Sequence, residues 1–230
     1  MTAKTAAQPK SDAKTVAVCG MLCAMAFALT AVSHFLLPPL LSAAPFIKYD
    51  PKDVILAIGA LILGPVPALL VTVVSAFLEM LTFSTTGWIG LVMNIVSSSA
   101  FILPSALIYR RRRTLSAAVI GLMTGMLLMT GMMLLWNAFL TPLYMGMPRQ
   151  AVIGMLVPVF LPANAIKGAL NAGITLLLYK PLSRALRHAH LLPASEAAAK
   201  GRKMTGVTVA FAAVILLVSL TVLFVLNHAA

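Results

Sequence analysis

Three polar residues recur at helical spacing inside one apolar stretch, and they are the first candidates for chemistry. Asn164, Lys167 and Asn171 are three and four positions apart within the run 151–179. In a helix this spacing places all three on one face. An ammonium and two amides on such a face can hydrogen-bond a ligand. Alternatively, they form a polar clamp between helices, with Glu79 as the counter-ion of Lys167.

Further polar and aromatic residues lie near the ends of other apolar runs; they are Glu79, Trp88, Asn94, Trp136 and Asn137. Ionisable groups inside a bilayer are costly, so Glu79 and Lys167 are functional candidates by default. A membrane cavity lined by apolar and aromatic residues, a few amides and one cation suits a planar heterocycle rich in carbonyls and ring nitrogens. Trp88 and Trp136 have a second interpretation, as aromatic residues of the membrane interface.

Catalytic signals are missing. The sequence has no Walker-type loop and no HExxH motif, its four histidines are scattered, and Ser97–Ser99 have no suitably spaced His or Asp partner. Cys19 and Cys23 lie four apart in an apolar segment and are interpreted as packing residues rather than a metal or redox site. The sequence therefore predicts a protein that is not an enzyme and that carries neither metal nor cofactor.

The composition fixes the class of protein in which these residues operate. Of 230 residues, 61% are hydrophobic and 10% are charged, whereas soluble domains have about 45–50% apolar and about 25% charged residues. A soluble enzyme would expose apolar surface and aggregate, and a disordered chain would be poor in apolar residues. The sequence predicts an integral membrane protein.

Apolar runs divide the chain into six core helices and a seventh, so the predicted fold is an all-α membrane bundle. The runs are 15–37, 54–82 with a break at Gly64–Pro67 that makes two helices, 89–109, 114–140, 151–179 and 204–226. Residues 1–14 are predicted as a cytoplasmic tail, 15–187 as a six-helix substrate-binding domain, and 188–203 as a basic linker. The interval 38–53 is predicted as a polar loop that can dip into the membrane.

The basic charge follows this topology. The net charge is +12, which in a soluble protein would suggest nucleic acid. With the N-terminus in the cytoplasm, 13 Lys and Arg residues lie inside and three lie outside, namely Lys48, Lys52 and Arg149. The asymmetry predicts a multi-pass protein of the cell membrane and no nucleic-acid partner. The outer ends of helices three to six then bring the polar candidates to one extracellular-side region.

The first helix carries Gly20, Ala24 and Ala28 at four-residue spacing. Small residues at this spacing make a smooth groove that another helix can approach closely. The groove serves either internal packing or the docking of a partner subunit.

Three separated stretches resemble the riboflavin-specific S components of energy-coupling factor (ECF) vitamin transporters, over roughly residues 15–187. The stretches are PFIKYDPKD at 45–53 followed by Gly64-Pro65, STTGWIGLVMN at 84–94, and PANAIKG at 162–168 with its Asn-x-x-Lys-Gly pattern. The resemblance implies a small membrane subunit that binds a vitamin from outside and topples to release it inside. It also implies a transmembrane coupling subunit and two ATP-binding cassette ATPases as partners.

The resemblance also assigns residues. It implies ligand contacts from Phe46, Lys48, Asn94, Asn164 and Lys167, and docking of the coupling subunit on Gly20, Ala24 and Ala28. Glu79, Trp88 and Asn137 are added to the ligand set from the predicted geometry alone. Riboflavin is then a transported ligand and not a cofactor.

Two alternative functions remain open, and one segment of the sequence departs from the pattern of the family. An S component for another vitamin, such as a pyrimidine precursor of thiamine, has the same fold. A stand-alone secondary transporter coupled to protons through Glu79 and Lys167 is the alternative of a different class. The run 204–226 is absent from six-helix S components. We expect it to face lipid all round, to need no fixed place against the other helices, and to be dispensable for binding.

Overall fold

The computed structural model of the chain describes residues 12–42, 44–189, 191 and 206–228. Most of the predicted tail and most of the predicted linker lie outside these residues. The elements in chain order are α1 Asp12–Leu36, β1 Pro39–Leu41, β2 Ala44–Lys48, α2 Lys52–Leu63, α3 Pro65–Thr82, α4 Gly87–Arg112, α5 Leu115–Phe139, α6 Thr141–Met145, α7 Arg149–Met155, the π-helical segment Leu156–Phe160, α8 Leu161–His188 and α9 Gly206–His228.

Helix boundaries follow local backbone chemistry. Gly64 ends α2 with a φ of 93°, a left-handed conformation that favours glycine, and Pro65 then opens α3. The predicted break between the second and third helices is therefore confirmed. Thr114 caps α5, because its side-chain oxygen accepts a hydrogen bond from the backbone N–H of Ala117 at 3.2 Å.

Six helices are long and apolar enough to cross a membrane, among the described residues. They are Ala13–Leu36, Pro65–Thr82, Gly87–Arg112, Leu115–Phe139, Arg149–Leu186 and Val209–His228. The prediction of an all-α membrane bundle is confirmed. α2 has 12 residues, roughly 18 Å at 1.5 Å per residue, against a hydrocarbon core of about 30 Å. Its residues from Lys52 to Leu61 are all buried, so this short helix lies inside the bundle.

The interval 38–53 is not a loop throughout, and that prediction is wrong. β1 and β2 form a two-stranded antiparallel hairpin in which Pro39 lies opposite Lys48 and Leu41 lies opposite Ala44. Strands of three and five residues that contain proline carry too little periodic pattern to be recognised in a sequence. The hairpin packs through Leu40, Leu41 and Ala44 on α8, in one apolar cluster with Ala163, Ile166 and Leu170.

α9 has a fixed place in the bundle, so the expectation that it faces lipid all round is wrong. Ala212 is buried, and a Cβ on Gly173 of α8 would lie 3.0 Å from Leu216 of α9. At its other end, Asn227 hydrogen-bonds Ser42 and Leu40 of the hairpin. Lipid exposure is expected from the low charge of this run as a whole. Such an average does not show the effect of one polar side chain at the helix end.

α4 and α5 approach each other closely at two glycines of α5. A Cβ added to Gly121 would lie 2.8 Å from Ser105 Cα, and one added to Gly125 would lie 2.1 Å from the carbonyl oxygen of Phe101. Both neighbours are backbone atoms, so the helices can only separate if a side chain is introduced.

We expect Gly125→Ala to lower the thermal unfolding midpoint of the detergent-solubilised protein. Overpacking of this kind typically costs about 1–3 kcal/mol. The matched control is Gly131→Ala on the same helix, where a Cβ meets nothing within 4 Å. That control should keep or raise the midpoint, because Ala is favoured over Gly in a helix by about 1 kcal/mol. Equal midpoints for the two variants would contradict the close contact.

Candidate functional site

A buried lysine is the centre of the site. Lys52, the first residue of α2, is 1% exposed, and its Nζ lies 2.6 Å from Glu79 Oε2 and 2.8 Å from Asp50 Oδ2. The sequence predicts Lys52 as an external cation and places only Glu79 and Lys167 within the membrane interior. That prediction missed the burial of Lys52 inside the protein. The signal that could have revealed it is the run Asp50-Pro51-Lys52-Asp53 directly before an apolar helix.

The carboxylate of Asp53 joins α2 to α4 and α8. Ser98 Oγ of α4 donates to Asp53 Oδ1 at 2.5 Å, and Asn171 Nδ2 of α8 lies 3.3 Å from Asp53 Oδ2. The same Asn171 amide donates to the carbonyl oxygen of Asp50 at 3.3 Å, and Tyr49 OH donates to Asn171 Oδ1 at 2.7 Å. The amide of Asn171 is thus fully hydrogen-bonded inside the protein. Asn171 therefore has a structural role and does not belong to the predicted ligand-facing stripe.

The segment before α2 is also held from α1. Thr30 Oγ1 lies 3.2 Å from Asp50 Oδ1, and Ser33 Oγ donates to the carbonyl oxygen of Tyr49. Burial raises the pKa of Asp50, but the ammonium groups of Lys52 and then Lys167 outweigh burial and hold that pKa below its usual value. Burial, with the carboxylates of Asp53 and Asp50, raises the pKa of Tyr49, so its phenol keeps the proton that it donates to Asn171.

Glu79 and Asn94, two predicted site residues, meet in this cluster. Asn94 Nδ2 donates to Glu79 Oε2 at 3.1 Å, the oxygen that also binds Lys52. Glu79 Oε1 is buried and has no hydrogen-bond partner within the part of the chain that the structure describes. Its counter-ion is therefore Lys52. The interpretation that pairs Glu79 with Lys167 is wrong.

Lys167 lies close to the cluster without joining it. Its side chain is half-buried on α8, and its charge acts on the carboxylates of Asp50 and Asp53. No hydrogen bond or ion pair to another described residue engages its ammonium. One turn earlier, Asn164 Nδ2 donates to the carbonyl oxygen of Phe160, the last residue of the π-helical segment before α8, at 2.8 Å. The ammonium of Lys167 thus retains its donors for a bound molecule.

The hairpin places Phe46 near Phe160, directly before α8, and Lys48 near the end of α1. The Phe46 ring lies 6.1 Å from the ring of Phe160, and Lys48 Nζ donates to the carbonyl oxygen of His34 at 2.8 Å. Both side chains are exposed. They stand on the strand that leads directly into Tyr49 and Asp50 of the buried cluster.

The remaining predicted site residues lie apart. Trp88, in the first turn of α4, is 69% exposed, and Asn137 of α5 is buried with its Oδ1 accepting from Thr141 Oγ1 at 2.8 Å. Among the described residues, neither makes a hydrogen bond to the Lys52 cluster. The described residues also contain no group of three or more His, Cys, Asp or Glu that could hold a metal ion.

Comparison with known proteins identifies the family of the chain. The family model for the substrate-specific component of ECF transporters matches residues 14–179. The chain belongs to this family. It is a multi-pass membrane protein of a family of transporter components, and α9 lies beyond the matched residues of the S component.

Two curated relatives and one solved structure are similar to this S component. The riboflavin transporter RibU of Staphylococcus aureus (strain TCH60) is 29% identical over 180 residues, which cover 76% of this chain and 93% of the relative. The riboflavin transporter FmnP of Bacillus subtilis (strain 168) is 26% identical over 190 residues, covering 77% and 98%. A solved S component of a bacterial ECF transporter aligns with a TM-score of 0.63 and 29% identity, covering 76% of this chain and 98% of its own.

The small-residue face of α1 is exposed in this S component. Gly20, Ala24 and Ala28 all lie on the surface, and nothing among the described residues comes within 4 Å of a Cβ built on Gly20. Val18 and Leu22 are buried on the opposite side of the helix. Of the two uses that the sequence left open for this face, internal packing within the described bundle is therefore ruled out.

We expect Lys52→Met to lower the thermal unfolding midpoint strongly, because it removes the ammonium that ion-pairs with both Asp50 and Glu79. Removal of one partner from a buried ion pair typically costs about 3–5 kcal/mol. Lys48→Met is the matched control, since that ammonium is exposed. Adding Glu79→Gln to Lys52→Met should recover part of the loss. An unchanged midpoint in Lys52→Met would show that Lys52 does not hold the cluster together.

Proposed function

We propose that this S component binds riboflavin at the face of α8 that carries Asn164 and Lys167, beside the β1–β2 hairpin. The observation that carries the proposal is the ammonium of Lys167, which has no ion-pair partner among the described residues. It lies next to a cluster in which Lys52 is paired with two carboxylates. The pyrimidine part of a flavin ring offers carbonyl oxygens and ring nitrogens, which accept from an ammonium and exchange hydrogen bonds with an amide. The names of the two relatives support riboflavin over other vitamins.

The other predicted contacts surround this face in the proposal. Phe46 offers an exposed aromatic ring on the hairpin, and Asn94 has an amide oxygen that its bond to Glu79 does not use. In this proposal Glu79 positions Asn94 through their hydrogen bond and does not itself contact the vitamin. Lys48, Trp88 and Asn137 remain candidates for contact with the vitamin or for the rim of its entrance.

We expect Lys167→Ala and Asn164→Ala each to weaken riboflavin binding about tenfold or more, the usual effect of losing one buried hydrogen-bond partner. The measurement is titration of the purified protein by quenching of riboflavin fluorescence. Leu178→Ala, on the exposed side of α8, is the control and should bind like the original chain. Unchanged affinity in both polar variants would make the stripe structural. Binding of thiamine precursors but not of riboflavin would favour the alternative vitamin.

We also propose that the exposed face of α1 docks a transmembrane coupling subunit that works with two ATP-binding cassette ATPases. The face offers small residues over two helical turns, which allows the close helix approach that stabilises contacts in lipid. With the N-terminus in the cytoplasm, the arginine run Arg110–Arg113 at the end of α4 lies on the cytoplasmic side. The protein then supplies substrate binding, and its partners supply ATP hydrolysis, at the cell membrane.

We expect the double variant Ala24→Trp/Ala28→Trp to bind riboflavin normally but to abolish uptake in cells that contain the whole transporter. The indole rings would separate the two docking helices, while the ligand face of α8 is untouched. Ala210→Trp, on the exposed surface of α9, is the matched control and should preserve uptake. Normal uptake by the double variant would remove the docking assignment.

A further inference from the structure

The last turn of α9 hydrogen-bonds the edge of the hairpin. Asn227 Oδ1 accepts from the backbone N–H of Ser42 at 2.8 Å and from Ser42 Oγ at 2.9 Å, and Asn227 Nδ2 donates to the carbonyl oxygen of Leu40 at 3.2 Å. One amide therefore satisfies a backbone donor and a backbone acceptor on β1 and its turn. Among the described residues β1 pairs only with β2, so its other edge would otherwise leave such groups open.

Apolar contacts reinforce this end contact. Leu216, Leu223 and Leu226 of α9 pack against the cluster that contains Leu40, Leu41 and Ala44 of the hairpin and three residues of α8. Their spacings of seven and three residues put them on one face of the helix. The hairpin thus lies between α8 and α9, with apolar contacts on both.

The other half of α9 is anchored on α8. Ala212 is fully buried there, and Leu216 touches the position where a Cβ on Gly173 would stand. The opposite surface of α9 exposes Leu217, Leu220 and Phe224, as expected for a lipid-facing side. The helix is therefore attached along its length and reaches the hairpin with its final turn.

We propose that α9 is a strap that holds the hairpin against α8, and that Asn227 is the positioning residue at its tip. The hairpin carries Phe46 and Lys48 and continues into Tyr49 and Asp50, so the strap fixes the outer cover of the ligand face. Its effect is to slow the exit of bound ligand towards the outside. The restraint on the hairpin stands on the contacts described above, whereas the effect on ligand exit rests on the proposed function.

The restraint is tested without ligand by hydrogen–deuterium exchange of the full chain in lipid nanodiscs. In Asn227→Ala we expect the amides of 40–48 to exchange about fivefold faster, the effect of losing two or three hydrogen bonds that are partly open to solvent. Ser42→Ala, which removes one of these bonds from the hairpin side, should give a smaller increase in the same segment. Amides of α8 should be unaffected, which separates loss of the strap from general unfolding.

Val225→Ala is the matched control, because Val225 lies two residues from Asn227 and is 54% exposed. Its hairpin should exchange like that of the original chain. If Asn227→Ala leaves exchange of 40–48 unchanged while the protein stays folded, the strap is overturned.

The effect on ligand exit is tested by the rate at which riboflavin fluorescence reappears after the bound complex is diluted. We expect Asn227→Ala to raise the dissociation rate constant about fivefold and to change the association rate constant less, with Val225→Ala as control. Faster hairpin exchange with an unchanged dissociation rate would overturn the role as a cover. If the original chain binds no riboflavin, the proposed function fails, and the exchange experiment still decides the strap.

Discussion

The site depends on keeping the Lys52 ammonium neutralised where little water reaches it. A buried charge is tolerated only when it is paired and hydrogen-bonded, and Lys52 meets this condition with Asp50 before α2 and Glu79 near the end of α3. The carboxylates recruit further donors in turn: Glu79 takes Asn94, and Asp53, next to Lys52, takes Ser98 and Asn171. One lysine thus orders the segment before α2 and four helices, and it leaves the ammonium of Lys167 free of partners within the described chain.

Small residues at four-residue spacing have two different outcomes in this protein. Gly121 and Gly125 let α5 contact the backbone of α4. Gly20, Ala24 and Ala28 make the same pattern on α1, yet they stay on the surface. The two patterns are equivalent in the sequence, because spacing reports only that a close approach is possible. Which helix makes the approach, and whether it belongs to the same chain, is decided by the packing of the remaining helices.

The sequence predicts the helices and breaks that depend on local chemistry. It does not predict contacts between residues that are far apart in the chain. The apolar runs and the break at Gly64 follow from composition, glycine and proline, and the structure has them at the predicted places. The burial of Lys52 depends on Glu79, 27 positions away, and the engagement of Asn171 depends on Asp53, 118 positions away. No periodicity reports such pairs, so a lysine in a polar stretch looks solvated and an asparagine beside Lys167 looks free for a ligand.

The same limit explains α9, and its position has a consequence for the whole transporter. The apolar composition of this helix does not by itself favour protein over lipid. Asn227, however, hydrogen-bonds backbone groups of Ser42 and Leu40 in the hairpin. α9 packs on α8, whereas α1 packs on α2 and α3 and keeps its small-residue face uncovered. An additional helix on the α8 side can therefore restrain the hairpin without occupying the surface proposed for docking. In the proposed arrangement, the residues that hold the hairpin and the residues that dock a coupling subunit are therefore separate.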